Sequence, residues 1–418
     1  MNKKESISMM GLLFFTITTL YSIGAITSLM RLIYGGDTLM KYQLILLPII
    51  TYLGFIIIIQ HKNIELNKFS LLLLFCCTYG CVRGAVINPL GEYYFYHLFQ
   101  MIFAIILYSI GLSFNHCRVN ELMWRLQRIS RIMTVIYIPI NLVFVYLVIT
   151  HNLYMGMSAG ILILATSLFV FKKDMVWGLG SVSLLLLTGK RGEILGLTSS
   201  IITILYFMFK NKLIILSKKR ILQVFIVLSL LIFGVCTINN SFLPIVFLKF
   251  VSIIHIDYHD IFSAKNRIIM GGRVIELQVF CENFVTNTDW SSLLFGKGFG
   301  WFIPINVPQY TEVNFMHTFH ISPLNAIAQY GLLLGIFYWL ALLNVIYKAF
   351  YMVKFQLFNM IMISYVVGIV ITSMFSYIIA VDPIFWICMG VISRRNTIIC
   401  RFTKSLPILP YEIKTIPL

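Results

Sequence analysis

The sequence has 418 residues, of which 59% are hydrophobic and 11% are charged, and its formal net charge is +17. Soluble proteins carry about 25% charged residues, and apolar runs of about 18 residues, long enough to span a bilayer, recur here from end to end. The composition therefore excludes a soluble protein and predicts an all-α, polytopic integral membrane protein. The basic residues are spread over short segments between apolar runs, which excludes nucleic acid as a partner.

Hydropathy predicts about twelve transmembrane spans. They lie near residues 9–30, 42–60, 69–88, 94–114, 132–150, 155–171, 175–189, 194–209, 220–238, 319–347, 357–380 and 383–398. Most Lys and Arg residues fall in alternate connections, which places both termini in the cytoplasm. The predicted domains are an N-terminal bundle at 1–238, a large outer loop with short helices at 239–318, C-terminal spans at 319–400 and a cytoplasmic tail at 401–418.

One basic pair falls on the outer side of the membrane in this topology. Lys190 and Arg191 lie between Gly189 and Gly192, and Glu193 follows at the start of the next span. Flanking glycines allow a ligand to approach the backbone, and a helix N-terminus adds positive potential. The pair is a candidate anion site; the alternative is a basic turn that only ends a helix and extends toward water.

The outer loop carries further basic residues, Lys265, Arg267 and Arg273. Helical spacing of apolar residues predicts a helix over 273–284, with Arg273 at its start. Arginine suits pyrophosphate because its planar guanidinium donates two hydrogen bonds to one phosphate. The alternative is that these residues form ion pairs with acidic residues of the same loop, namely Asp257, Asp260 or Glu276.

Two histidines, His317 and His320, come directly before the tenth predicted span, and Tyr330 and Gly331 follow one helical stretch later. An imidazole can act as a general base near neutral pH. Each histidine alone is also typical of a hydrogen-bonding residue at a membrane interface, and the sequence does not decide which of the two is the base.

Three other features of the sequence are candidate polar or ligand-binding sites. Arg83, at the end of the third span, needs a polar partner, for which Glu92 is a candidate; ion pairing and substrate binding stay open. His255 and His259 have the spacing of a metal pair but lack further ligands nearby. The glycine-rich segment 296–300 follows no βαβ pattern, so it does not predict a nucleotide site.

Taken in order, these landmarks resemble the superfamily of bacterial O-antigen polymerases (Wzy-type) and O-antigen ligases. The resemblance covers roughly residues 175–350 by motif and depends on Arg191-Gly192, Arg273, the segment Leu293 to Gly300, His320 and Gly331. Ile321 departs from the family, which usually has Asn, Ser or Gln after the motif histidine. Because ligases keep that motif more strictly, the resemblance favours the polymerase.

This resemblance implies a GT-C-like fold in the bacterial inner membrane and glycosyl transfer at the periplasmic face without a metal or cofactor. The donor and the acceptor would be oligosaccharides linked to undecaprenyl pyrophosphate, and membrane lipids, a chain-length regulator protein and a flippase are candidate partners. The catalytic residues would be His320, Arg191 and Arg273. Substrate-binding residues would be Lys190, Arg267, Arg83, His317 and Tyr330.

Two alternative functions fit the same sequence pattern. An O-antigen ligase would use the same fold but transfer the glycan to lipid A-core. A flippase or other transporter of lipid-linked oligosaccharides belongs to a different class, and it should carry charges within its spans and show related halves.

Overall fold

The computed structural model describes residues 3–34, 40–60, 66–88, 90–114, 119–151, 158–172, 174–188, 190–210, 272–286, 290–304, 315–352, 357–375 and 377–402. Within these stretches the backbone is mostly helical, and one pair of two-residue strands is present. The predicted all-α class is confirmed at this level.

The N-terminal half is a series of helices joined by short connections. They are α1 (Lys3–Tyr34), α2 (Met40–Gln60), α3 (Lys68–Ile87), α4 (Glu92–Ser113), α5 (Val119–His151), α6 (Ile161–Phe171), α7 (Met175–Leu187) and α8 (Arg191–Lys210). The later part contains α9 (Gly272–Phe280), a π-helical turn (Cys281–Thr286), α10 (Trp290–Phe295), β1 (Ile303–Pro304), β2 (Phe315–Met316), α11 (Ser322–Met352), α12 (Leu357–Ser373), a 3₁₀ turn (Ile379–Val381) and α13 (Pro383–Phe402).

Six helices of the described residues are long and apolar enough to cross a membrane, which supports a membrane-embedded protein. They contain Met9–Met30, Lys68–Ile87, Glu92–Ser113, Asn120–Leu147, Gly192–Lys210 and Ser322–Tyr351. Every predicted span overlaps a helix except the ninth, at 220–238, which lies outside the described residues. The number of twelve spans and their orientation stay predictions.

Small residues bring pairs of helices into close contact. A Cβ added to Gly111 of α4 would lie 2.2 Å from the carbonyl oxygen of Ile387 and 2.8 Å from Cα of Gly390 in α13. A Cβ on Gly196 of α8 would lie 2.5 Å from the carbonyl oxygen of Gly368 in α12. Such contacts favour association in lipid, where no hydrophobic force draws apolar helices together.

A buried carboxylate joins α1 to the C-terminal helices. Asp382, which is 1% exposed, accepts hydrogen bonds from the hydroxyls of Tyr21 (2.7 Å), Tyr365 (3.0 Å) and Tyr377 (2.9 Å). It also accepts from the backbone N–H of Phe385 at 2.9 Å, and so caps the N-terminus of α13. These bonds satisfy a carboxylate that would be costly to bury alone.

Two predicted spans are longer than the helices observed. The eleventh prediction ran to residue 380, but α12 ends at Ser373 because the chain turns back there. The carbonyl of Tyr377 accepts a 2.6 Å hydrogen bond from the Ser322 hydroxyl, which fixes the non-helical segment against the start of α11. The sixth prediction began at residue 155, whereas α6 begins at Ile161.

The tenth predicted span, at 319–347, was expected to be one continuous helix. The structure begins α11 at Ser322 and interrupts it at Gly331, whose φ is 82° and ψ is 171°. Only glycine adopts this backbone conformation readily. The hydropathy of the segment is uninterrupted, so the pattern that predicted the span could not show the break.

The glycine-rich segment 296–300 fills this break. The N–H of Lys297 donates to the carbonyl of Ala328 at 2.8 Å, and the N–H of Gly298 donates to that of Gln329 at 3.0 Å. The segment thus satisfies carbonyls beside the interruption, as backbone at membrane depth requires. Its turns are possible because three of its residues are glycines with positive φ: Gly296 (71°), Gly298 (71°) and Gly300 (83°).

The described residues of the predicted outer loop form a small structure that we call the cap (272–286, 290–304 and 315–321). Its core consists of Ile275, Val279, Phe280, Phe284, Trp301, Ile303 and Phe319, which pack against Ala328 of α11. The predicted helix at 273–284 is confirmed as α9 and the π-helical turn after it. Of the predicted apolar stripe, Val274 is buried, while Leu277 and Cys281 are partly exposed.

Candidate functional site

The centre of the candidate site is a contact between α9 and the segment before α11. Glu276 accepts a 2.8 Å hydrogen bond through Oε2 from the backbone N–H of His320. Its other oxygen, Oε1, lies 2.8 Å from Nδ1 of the same histidine. The Glu276 side chain is 5% exposed, whereas that of His320 is 49% exposed. A buried carboxylate therefore fixes both the backbone and the ring of a histidine that reaches the surface.

This contact determines how the imidazole can act. An ionised carboxylate only accepts hydrogen bonds, so Nδ1 must carry a proton and donate it to Glu276. The neutral ring then presents Nε2 as a base. Within the described part of the chain, Nε2 of His320 has no hydrogen-bond partner.

Arg273 contacts the same carboxylate. Its guanidinium Nη1 pairs with Oε1 of Glu276, three residues later on α9. Burial alone would raise the pKa of Glu276, but the hydrogen bonds from His320 and the charges of His320 and Arg273 hold that pKa below its ordinary value. Glu276 is thus ionised at neutral pH. The structure thus shows Arg273 in an ion pair with Glu276, which was one of the two alternatives that the sequence left open, and not as a free phosphate-binding arginine. Even so, 28% of the Arg273 side chain remains exposed.

His317 has a different environment. Its ring stacks on Tyr93 with centroids 4.5 Å apart and meets the edge of Tyr96 at 5.3 Å. Its Nδ1 is buried without a hydrogen-bond partner in the described residues, and burial lowers its pKa. Among the described residues no carboxylate contacts the His317 ring as Glu276 contacts that of His320, so of the two histidines His320 has the geometry suited to a general base.

His97, which the sequence did not single out, joins the cap to α4. Its Nδ1 accepts a 3.0 Å hydrogen bond from the N–H of Gly300, which leaves Nε2 to donate to the carbonyl of His317 at 2.7 Å. It therefore positions the residues on both sides of the short strand pair. A histidine inside an apolar span was a signal for such a role, but its partners lie some 200 residues away and could not be predicted.

A cavity of about 50 Å³ adjoins His97. It is lined by His97, Gln100, Met101, Ala104, Ser322, Asn325, Ala326, Gln329, Tyr330, Tyr338, Trp339, Ile378, Ile379, Ala380 and Trp386. Gln100 Nε2 and Trp339 Nε1 are buried there without hydrogen-bond acceptors in the described part of the chain. Unsatisfied buried donors cost about 1–3 kcal/mol each, so the cavity suits a group that carries oxygen. Tyr330, predicted to bind substrate, is buried in this lining.

The Lys190–Arg191 pair lies at the start of α8. Lys190 Nζ is 3.3 Å from Oε1 of Glu193, whose side chain is fully buried. Glu193 also accepts from the Ser158 hydroxyl at 2.8 Å and the N–H of Ala159 at 2.7 Å. Lys190 therefore neutralises an internal carboxylate. Arg191 is the first residue of α8, and its side chain lies outside the described part of the structure.

The turn at Lys190 and the His320 segment lie at the same end of the bundle. The Tyr377 ring approaches Gly160, next to the residues that hold Glu193, and interacts electrostatically with Glu193 itself. The carbonyl of Tyr377 meanwhile accepts from Ser322, two residues after His320. Tyr377 thus connects the turn at Lys190 with the segment that follows His320.

Arg83 does not pair with Glu92 as predicted. Its Nε donates to the carbonyl of Gly296 at 3.2 Å and its Nη2 to the Ser291 hydroxyl at 3.0 Å. The guanidinium therefore holds the cap against α3. The physical reason is that the glycine-rich segment presents a carbonyl to the end of α3, whereas Glu92 is exposed to solvent. Lys265, Arg267, His255 and His259 lie outside the described residues.

Comparison of the sequence with models of protein families and with characterised proteins gives no match. The fold and the site define a helical membrane protein with an Arg–Glu–His group at one end of its bundle.

The two titrating groups of the site predict how stability depends on pH. His317 and Glu276 both bind protons less readily in the folded protein than in the unfolded chain, so the free energy of unfolding rises with pH across each window. We expect the unfolding midpoint in detergent to fall on acidification below pH 6.5, where unfolded His317 gains a proton, and further below pH 4.5, where unfolded Glu276 does. Tryptophan fluorescence would measure it. If the unfolding midpoint of a His317→Gln variant fell on acidification below pH 6.5 as much as that of the wild type, the assignment of this pH dependence to His317 would be contradicted.

Proposed function

We propose that this protein is a glycosyltransferase that polymerises lipid-linked oligosaccharide units, as an O-antigen polymerase does. The growing glycan would be transferred from undecaprenyl pyrophosphate to a sugar hydroxyl of a new lipid-linked unit. The reaction would take place at the end of the bundle that bears the cap, which faces the periplasm in the predicted orientation. The sequence resemblance suggests this reaction, and the Arg273–Glu276–His320 group supports it.

The observation that carries the proposal is the Glu276–His320 contact of 2.8 Å. A sugar hydroxyl is a weak nucleophile, and removal of its proton in the transition state accelerates transfer by about 10²–10⁴. His320 Nε2 takes that proton while Nδ1–H stays bonded to Glu276, which stabilises the imidazolium that forms. In other carboxylate–histidine catalytic groups the histidine likewise takes the proton and the carboxylate orients and stabilises it.

The bond changes then balance without a further reactant. The acceptor oxygen forms a bond to the anomeric carbon, and the bond from that carbon to the pyrophosphate oxygen breaks with its electron pair. The pyrophosphate leaves as an anion on its lipid, and the acceptor proton remains on His320. Positive groups placed at the leaving oxygens lower the energy of this charge separation.

The pyrophosphate site needs cations beyond Arg273. The charge of Arg273 is shared with Glu276, and Lys190 is paired with Glu193, so neither offers a whole free charge. We assign the main electrostatic role to Arg191, with Arg267 as the second candidate. Exposed N–H groups of Arg273 supply hydrogen bonds rather than net charge.

The cavity beside His97 fits the acceptor side of the reaction. Among the described residues, Gln100 Nε2 and Trp339 Nε1 have no acceptor there, and a sugar substituent that carries an oxygen would provide one. Sites that hydrogen-bond a polar group discriminate strongly against analogues that lack it. The cavity would thus contribute to the selection of one repeat unit.

A strain that lacks the gene tests the proposal against its nearest alternative. Loss of a polymerase leaves lipopolysaccharide cores that bear a single repeat unit, whereas loss of a ligase leaves bare cores. We expect single-unit cores in the deletion strain, and long chains again when the wild-type gene is returned but not when the His320→Ala gene is returned. Bare cores would assign the protein to the ligases, and wild-type chains from His320→Ala would remove His320 from the mechanism.

The transporter alternative is less well supported. The buried carboxylates of the described residues, Glu193, Glu276 and Asp382, gather at one end of the bundle instead of marking a path through it. Each is also satisfied by internal hydrogen bonds. A transport path requires polar groups at successive depths.

A further inference from the structure

A basic groove lies along the first turns of α5, away from the cap. It has a volume of about 270 Å³ and is lined by Trp124, Gln127, Arg128, Arg131 and Ile132. The lining residues recur at helical spacing, so one face of α5 forms the groove. The chain between α6 and α7 adds Lys172, whose Nζ contacts the side-chain oxygen of Gln127.

Positive charge exceeds negative charge at this groove. Arg131 lies 3.7 Å from Asp174, and both side chains are well exposed, so the pair is weak. Arg128 has no acidic partner within 4 Å among the described residues. Burial and the charge of Arg131 lower the pKa of Lys172. An anion in the groove would relieve this repulsion.

The arginines are held against tryptophan rings. The guanidinium of Arg128 lies 5.6 Å from the ring centroid of Trp124, and that of Arg131 lies 5.7 Å from that of Trp177. Cation–π contacts orient both guanidinium planes, and tryptophan in a membrane protein prefers the level of the lipid headgroups. The groove is therefore preorganised for an anion at the membrane interface.

An apolar stripe continues from the groove along the same face of α5. Its members are exposed among the described residues: Ile132, Val135, Ile138 and Leu142. They follow Arg128 at helical spacing, so a molecule with its head in the groove would lay an acyl chain along them. A free phosphate would gain nothing from this stripe.

We propose that the groove binds the phosphodiester headgroup of an anionic membrane lipid, with Arg128 and Arg131 as phosphate ligands and the α5 stripe as the acyl-chain contact. Planar guanidinium groups bind phosphate through paired hydrogen bonds, and basic pockets between membrane helices are known lipid sites. The site is separate from the Arg273–Glu276–His320 group, and it does not depend on the reaction proposed for that group.

The test uses the full-length protein in a neutral detergent and follows tryptophan fluorescence during titration. The probes are phosphatidylglycerol, phosphatidylcholine and inorganic phosphate, and the protein is wild type, Arg128→Gln/Arg131→Gln or the control Lys348→Gln, which removes an exposed charge from α11. We expect phosphatidylglycerol to bind the double variant about thirtyfold more weakly than the wild type, since each basic residue contributes about fivefold. The control should bind like the wild type.

Three outcomes would overturn the proposal. Equal affinity of the double variant and the wild type would show that the arginines are not ligands. Equal affinity for phosphatidylcholine would show that the lipid charge is not recognised, and an equal response to inorganic phosphate would identify a phosphate site without a lipid. Should the double variant not fold, Arg128→Gln alone keeps the Arg131–Asp174 pair and should still weaken binding about fivefold.

Discussion

Under the proposed function, a Glu276→Gln variant is expected to polymerise glycan at least about 10²-fold more slowly than the wild type. The amide cannot accept from the backbone N–H and from Nδ1 of His320 as a carboxylate does, and it bears no charge to stabilise the imidazolium. Arg273 also loses its ionic partner. Length distributions of lipopolysaccharide chains, at equal amounts of protein in the membrane, would measure the loss.

A matched control lies on the same stretch of chain. Glu282 is exposed and its side chain binds that of Gln278, so Glu282→Gln removes an equal charge from the cap without touching His320. We expect wild-type chains from it. The Glu276→Gln/His320→Ala double variant should be no worse than His320→Ala alone, because the two residues act as one unit. Strictly additive losses, or long chains from Glu276→Gln, would show that Glu276 does not act through His320.

The second large effect is expected from a single methyl group at Gly298. A Cβ there would lie 2.1 Å from the backbone nitrogen of Gly84 and 2.6 Å from its Cα, and the φ of 71° disfavours any side chain. Left-handed backbone costs about 1–2 kcal/mol and overpacking about 1–3 kcal/mol, so Gly298→Ala should destabilise the protein by about 3 kcal/mol. Thermal unfolding in detergent and the yield of folded protein would measure it.

Gly180 provides the control for this substitution. It lies in α7, and a Cβ there meets no atom within 4 Å. Gly180→Ala should leave the protein as stable as the wild type or raise its stability by about 0.4–1 kcal/mol. If Gly298→Ala unfolded at the same temperature as Gly180→Ala, the close contact between the glycine-rich segment and α3 would be refuted.

The sequence predicted most of the described helices, and it named some of the residues that the structure brings together. Long apolar runs predict helices because a lipid-exposed backbone must satisfy its own hydrogen bonds, and α1 to α8 follow that rule. The interruption of α11 could not be predicted in this way, because Gly331 lies in an apolar run whose hydropathy is uniform. The three glycines at 296–300 were visible as a pattern, but the carbonyls that they approach are set by the tertiary fold.

The candidate residues show the same limit. His320 and Arg273 were singled out from motif and position, and Glu276 was named as one of three possible acidic partners of Arg273, but its contact with His320 was not predicted. The predicted Arg83–Glu92 pair was wrong, since short separation in sequence does not show which backbone carbonyl reaches a guanidinium. Lys190 was predicted to bind an anion from outside, and only the fold shows the buried Glu193 that it neutralises.

The attachment of the glycine-rich segment has a consequence for how substrates arrive. Its backbone bonds Gly80 of α3 and both carbonyls at the break in α11, and Gly300 bonds His97 of α4. The segment is anchored to three helices, so it cannot move away from them as a lid without breaking all of these hydrogen bonds. Under the function proposed above, His320 would then stay in one place during turnover, and long lipid-linked chains would have to enter and leave sideways through the bilayer.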